Sequence, residues 1–327
     1  MLAAAAALAL LLAAGGYDAG SALGALWRGS LGTWYAIVSA TLVRATPLIL
    51  AGLAVAVAFG AGVLNVGAEG QLLAGAAGAA AVGVGVAAHW GAGPSVVVVP
   101  LELAAGVVCG AAWAGIAAVL RRRFGVLEVI STLMLNFVAL HAVSWLVRGP
   151  LQEPLRIYPQ TAALPDAARL PLLVPGSRLH AGFALALAAA VALWWTLRST
   201  AAGFRLRATG ANPFAAAAAG EIPVDRVTTR AFLTSGALAG LAGAVEVTGV
   251  TYALYESLSP GYGYTAIAVA LLARLHPLGI VATGVLFGAL EAGAASMQRD
   301  AGVPAVVVSV VEAVLVLVVV YASRRRS

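Results

Sequence analysis

Asn65, Glu69 and Gln71 carry most of the chemistry in a chain that is otherwise poor in it, within the run Asn65-Val66-Gly67-Ala68-Glu69-Gly70-Gln71. They stand between Pro47–Leu64 and Leu72–Ala88, two segments apolar enough for a membrane. A carboxylate and two carboxamides at that depth cost on the order of several kcal/mol if lipid surrounds them, so they must face a protein interior or a watered cavity. What they can do there is hydrogen-bond a polar solute, or one another. Two roles follow for Glu69: lining a path or gate between half-helices, or capping a broken helix and pairing internally. Asn136 and Glu246 lie deep in their own apolar runs and complete the candidate path set. Glu128 and Glu291 raise the same question, although Glu128 has Arg121–Arg123 close by as an ion-pair partner.

Other chemistries are excluded by residue type. The chain contains no lysine, so it has no GxxxxGK[ST] phosphate loop, and any ATP hydrolysis belongs to another chain. His89, His141, His180 and His276 lack metal-ligand spacing, and neither His-Glu-x-x-His nor Gly-x-Ser-x-Gly occurs. No catalytic residue, metal or cofactor is expected. Cys109, the single cysteine, reads as an inert buried thiol. His276, before Pro277, reads as structural.

The elements that position these groups follow from hydropathy. With 62% hydrophobic and 10% charged residues and a mean hydropathy of +0.98, the chain is far from the soluble average. The expected fold is all-α: one polytopic membrane helix bundle over 1–327 with about ten transmembrane helices and a broken or re-entrant segment near Asn65–Gln71. The candidates are Met1–Ala14, Pro47–Leu64, Leu72–Ala88, Ser95–Leu120, Val126–Val147, Ala181–Leu197, Ala231–Val250, Leu258–Ala273, Leu278–Met297 and Val303–Ala322. Met1–Ala14 reads as an uncleaved span, lacking the basic start of a signal peptide. Trp34–Arg44 reads as a further interfacial or re-entrant helix. Gly106-x-x-x-Gly110, Gly236-x-x-x-Gly240 and Gly284-x-x-x-Gly288 predict close helix packing.

The arginines cluster beside apolar runs, at Arg121–Arg123, Arg198–Arg230 and Arg324–Arg326. This positive-inside pattern puts those loops and both termini in the cytoplasm, against the weaker signal of Arg148, Arg156, Arg169 and Arg178. The segment 148–180, with six prolines, then forms an ordered external loop, serving as a connector or as a landing surface for an external partner. Within 198–230, Asn212 is an N-cap, Pro213 the first helical residue and Gly220 the stop. The short helix between them carries Phe214 and Ala217, flanked by Arg207 and Glu221, and is shaped to sit in another protein's groove.

Several runs resemble a known family. Asn65–Gln71, Glu128-Val129-Ile130-Ser131-Thr132-Leu133-Met134-Leu135-Asn136, Ala208-Thr209-Gly210-Ala211-Asn212-Pro213 with Ala219-Gly220, Ser235–Gly243, Gly261-Tyr262-Gly263-Tyr264 and Ile267–Gly279 are similar to motifs of ABC importer permease subunits. The branch is the one handling nucleosides, simple sugars and branched-chain amino acids, and the wording is closest to its nucleoside-type members. Glu221 departs from the family pattern, which has Gly-Ile directly after Ala. The resemblance implies cytoplasmic ABC ATPase subunits, a second, homologous permease subunit, an external substrate-binding lipoprotein and a bacterial inner-membrane location. It makes Asn212–Gly220 the coupling helix.

The expected function is a permease subunit of an ATP-driven importer for a neutral polar solute, foremost nucleosides. Simple sugars are the alternative, and a secondary transporter or channel working without an ATPase is the second. A membrane enzyme or scaffold has the least support. Tyr252, Tyr255, Tyr262 and Tyr264 serve either as interfacial belt residues or as surfaces on which a base could stack. No deep cation is evident from the sequence to offset Glu69 and Glu246, so phosphorylated nucleotides should be refused.

Overall fold

The computed structural model describes residues 12, 13, 15–90, 93–218, 222–304, 306, 307, 309, 310 and 313. The expected spans Met1–Ala14 and Val303–Ala322, like Gly220, Glu221 and Arg324–Arg326, lie wholly or largely outside them. Among the described residues every regular element is helical, and seven helices are long and apolar enough to cross a membrane.

The elements run α1 (Ala19–Ser30), α2 (Trp34–Gly60), α3 (Ala68–Trp90), α4 (Ser95–Phe124), α5 (Glu128–Arg148), α6 (Gly182–Ser199), α7 (Ala201–Ala211), α8 (Pro213–Ala218), α9 (Val224–Thr251), α10 (Tyr262–Leu272) and α11 (Pro277–Ala301). The seven spanning helices are α2 to α6, α9 and α11; α10 is shorter. Eight of the ten expected segments thus appear as helices. Trp34–Arg44 is corrected: it is no separate interfacial helix. A single π turn at Ile37–Thr41 joins it to the following run as one 27-residue helix.

α2 and α9 form the centre, whereas α6 packs on the outside. α4 and α9 cross antiparallel through the two small-residue motifs. A Cβ on Gly240 would collide with the Gly106 carbonyl oxygen and stand 2.8 Å from Gly110 Cα. Only glycine permits that approach, which yields dispersion contacts where lipid offers no hydrophobic drive. Gly284 and Gly288 seat α11 on α2 in the same way, against Ile49 and Ala45.

The proline-rich segment 149–181 is ordered without long helices. Thr161 N donates to Leu254 O (2.9 Å), Leu164 N to Tyr252 O (2.7 Å) and Leu170 N to Thr248 O (2.9 Å), lacing it to the end of α9. Tyr252 has φ +56°, a left-handed value unusual for a side chain of its size, and Arg169 lies over its ring at 4.5 Å. Arg148 grips Glu256 with two bonds of 2.6 and 2.8 Å, and Ser144 also donates to Glu256. Arg148 and then Ser144 hold the Glu256 carboxyl down at about 2. His180 is wholly buried between Gly182 and Gly249. Its Nδ1 accepts from Gly182 N at 3.2 Å, and burial foremost, with Arg178, lowers its pKa to about 4.

Candidate functional site

The break between α2 and α3 is buried, so each of its polar groups needs a protein partner. Asn65 and Gln71 exchange two amide hydrogen bonds, both 3.0 Å. Asn65 Nδ2 also donates to Ser235 Oγ of α9 (2.9 Å), and Asn65 Oδ1 accepts from Gly67 N (2.9 Å). Asn136 of α5 closes the other side. Its Oδ1 accepts from Gly70 N (2.8 Å), while its Nδ2 donates to Val66 O (3.0 Å) and Tyr264 OH (3.2 Å). Gly70 suits this close approach, because a Cβ would stand a tight 3.0 Å from both Asn136 Cα and Leu135 O. Glu69, at the start of α3, accepts from Gly263 N of α10 (2.7 Å), with Ser259 as a second partner. One network therefore ties α3, α5, α9 and α10 together at mid-chain helix breaks.

Four of the five candidate path residues, Asn65, Glu69, Gln71 and Asn136, are thus brought to one helix break, where Asn65 and Gln71 bond each other and Glu69 and Asn136 bond the surrounding helices. Glu246 is elsewhere. It lines a polar cavity of about 680 Å³ with Arg44, Arg178, Tyr255, Tyr262 and Glu291. Arg44 and Arg178 lie within electrostatic reach of Glu246, whose Oε2 is buried and, among the described residues, has no hydrogen-bond partner. Two π turns flank these charges: Ile37–Thr41 ends three residues before Arg44, and Val247–Thr251 follows Glu246 directly. Such turns shift the register by one residue, re-aim side chains and recur at functional sites.

Arg44 corrects the expectation that no cation lies deep in the bundle. It sits inside a 27-residue apolar helix and faces the cavity with two glutamates. The sequence carried the signal, an arginine three residues before Pro47. Separating Trp34–Arg44 from the helix after it hid that signal. Glu102 is a further group that the sequence reading leaves out: it is fully buried in α4, and among the described residues neither of its oxygens has a hydrogen-bond partner. Nothing in the structure explains it.

The remaining side chains fall into plainer roles. Glu128 pairs with Arg121 at 3.7 Å. His276 Nδ1 accepts from Gly279 N (3.3 Å) and caps α11. Cys109 is half-buried rather than enclosed.

At the arginine-rich end, α7 rests on the end of α2, Gly210 meeting Gly60 backbone to backbone. Asn212 Oδ1 accepts from Ala215 N (3.0 Å), so the N-cap forms as its sequence requires. Pro213 opens α8, a helix of 6 residues. Ala216 turns inward and is buried, whereas Phe214 is 86% exposed and Ala217 and Arg207 are exposed. A phenylalanine so bare on a short capped helix leaves an apolar knob standing free among the described residues.

Comparison with known proteins agrees with this architecture. A family described as the branched-chain amino acid transport system / permease component matches residues 37–320. The guanosine ABC transporter permease protein NupP of Bacillus subtilis (strain 168) is 40% identical over 317 residues, covering 95% of this chain and 88% of that protein. The glucose ABC transporter permease protein TsgB13 of Haloferax volcanii is 40% identical over 286 residues, covering 84% of this chain and 74% of that one. The guanosine ABC transporter permease protein NupQ of the same Bacillus subtilis strain is 30% identical over 260 residues, covering 77% and 79%. This multi-pass membrane protein belongs to the branched-chain amino acid transport system / permease component family of ABC transporters.

Proposed function

We propose that this chain is a permease subunit that carries nucleosides across a bacterial inner membrane. In this reading it pairs with a second, homologous permease, with cytoplasmic ABC ATPases and with an external binding lipoprotein. The whole of 1–327 acts as one transmembrane permease domain, with the segment 198–230 and both termini in the cytoplasm and 148–180 outside.

The observation that carries the substrate reading is the polar cavity beside Glu246. Arg44 offers a planar donor fork, Glu246 and Glu291 offer acceptors, and Tyr255 and Tyr262 offer ring faces. A purine nucleoside presents matching acceptors, donors and a π-face within such a volume. The likeness to two guanosine permease proteins supports this choice, and their occurrence as two proteins in one organism supports a heterodimeric permease. Asn65, Glu69, Gln71 and Asn136 act as the gate latch, because their bonds bridge four helices. Asn212, Pro213, Phe214, Ala217 and Arg207, followed by Gly220 and Glu221, form the coupling element that enters the ATPase.

Glucose is the second reading, favoured by the 40% identity to a glucose permease. Competition against labelled guanosine uptake by the complete transporter separates the two. Inhibition by inosine but not by glucose, ribose or leucine supports the nucleoside reading. Inhibition by glucose or ribose alone moves the assignment to sugars, and strong inhibition by leucine moves it to amino acids.

A further inference from the structure

At the arginine-rich end, α6, α7 and α9 enclose a second cavity of about 370 Å³ that takes no part in the path or the coupling element. One wall is apolar, formed by Val57, Leu193, Leu197 and Leu206. The other carries Arg205, Arg226 and Arg230, all exposed. Arg226 and Arg230 are four residues apart on α9 and share a face, while Arg205 reaches in from α7. No carboxylate lines this cavity and none of the three arginines enters an ion pair, among the described residues. Arg205, Arg226 and Arg230 line one cavity, so an anion seated there faces three positive charges at once.

The depth of the cavity selects the kind of anion. Its lining includes Thr196 and Leu197 of α6. The neighbouring Trp194 lies beneath the Arg198 guanidinium at 5.7 Å, and Trp195 is 58% exposed. Tryptophan and arginine together mark the membrane–water boundary. A cationic mouth at headgroup depth, backed by an apolar wall, fits an amphiphile; a soluble anion would leave the apolar wall unused. Basic pockets between membrane helices bind acidic headgroups for the same reason.

We propose that this cavity seats the headgroup end of an anionic phospholipid. The site lies on α7, which runs directly into α8, so an occupant stiffens the base of the coupling element.

The test uses the purified full-length chain in mild detergent, given phosphatidylglycerol or phosphatidylcholine with the same acyl chains, with retained lipid counted by native mass spectrometry. Wild type is expected to retain phosphatidylglycerol preferentially. The double substitution R226Q/R230Q should weaken that retention about 30-fold, at roughly one surface charge's worth per arginine, and leave phosphatidylcholine unchanged. The single R205Q, which leaves α9 untouched, should weaken it about fivefold and covers a double variant that fails to fold. Equal retention of the two lipids by wild type overturns the proposal, as does unchanged retention in R205Q. Competition by glycerol phosphate or inorganic phosphate as effective as by the lipid makes this a soluble-anion site and overturns it too. So does a double variant that keeps its lipid but no longer binds the ATPase, since the arginines then serve a protein interface.

Discussion

Asn65 and Gln71 lie six residues apart on either side of a helix start and close a ring of two amide hydrogen bonds, each 3.0 Å. The ring lets the chain leave α2 and enter α3 inside the bundle, where water is scarce and an unpaired amide is costly. Asn65 also reaches Ser235 of α9, and within the same break Asn136 of α5 holds Gly70 N and Val66 O while Glu69 holds Gly263 N of α10, so the break works as a joint among four helices and not as a loose loop.

Replacing Gln71 with Leu removes both bonds of the ring and leaves Asn65 underused in a buried place. Stability should fall by roughly 1–3 kcal/mol, the cost of stranding buried polar groups. Thermal unfolding of the purified chain in detergent measures it. An unchanged midpoint would show that the ring contributes nothing to holding the break.

The crossing of α4 over α9 makes a sharper prediction. Gly240→Ala puts a Cβ into the Gly106 carbonyl, and backbone cannot yield as a side chain would. Overpacking of about 1–3 kcal/mol is expected. Gly115→Ala, also on α4, whose added Cβ would meet the Leu233 side chain at an ordinary 3.4 Å, is the control and should be nearly neutral. Equal behaviour of the two variants in thermal unfolding contradicts the close crossing.

In the proposed coupling role, the short helix α8 separates docking from folding within six residues. Phe214→Ala and Ala217→Asp alter exposed positions and should uncouple ATP hydrolysis from uptake while membrane insertion and thermal midpoint stay near wild type. Ala216→Asp alters the buried position and should lower the midpoint as well. Normal ATP-driven uptake by both Phe214→Ala and Ala217→Asp would remove α8 from the coupling role.

His180 gives a pH dependence of definite sign. Its folded pKa is lowered to about 4, against an ordinary value near 6.5, so the folded state holds it neutral. The stability it contributes is full above pH ~6.5 and is lost as pH falls toward 4, because the unfolded chain takes up the proton first. His180→Phe keeps a ring between Gly182 and Gly249 but cannot titrate. Its unfolding midpoint should therefore fall less between pH 7 and pH 5 than that of wild type. Parallel declines would show that other groups set the acid limit.

Much of this was legible from residue types alone. Apolar run length gave the helices, because lipid forces backbone bonds to close within each segment. The Asn212-Pro213 cap was readable because capping is local. The facing of Gly106 and Gly110 with Gly236 and Gly240 was foreshadowed by their spacing, but not their partnership, which depends on tertiary arrangement. Partnership is also what hid the division of the path set. Asn65 and Gln71 look equally suited to bind a solute or each other, and only their distance decides. Arg44 is hard to place from the sequence for a related reason: a π turn joins Trp34–Arg44 to the apolar run after it as one helix, and no residue type announces that turn.

The most direct test of the account is labelled guanosine uptake into proteoliposomes holding the complete transporter, with Arg44→Gln and Glu246→Gln variants of this chain. If the cavity between them carries the solute, each variant should lose at least about tenfold in uptake, the worth of one charge-assisted hydrogen bond, with assembly and basal ATP hydrolysis retained. Uptake at the wild-type rate in both variants would contradict the account and move the path away from this cavity.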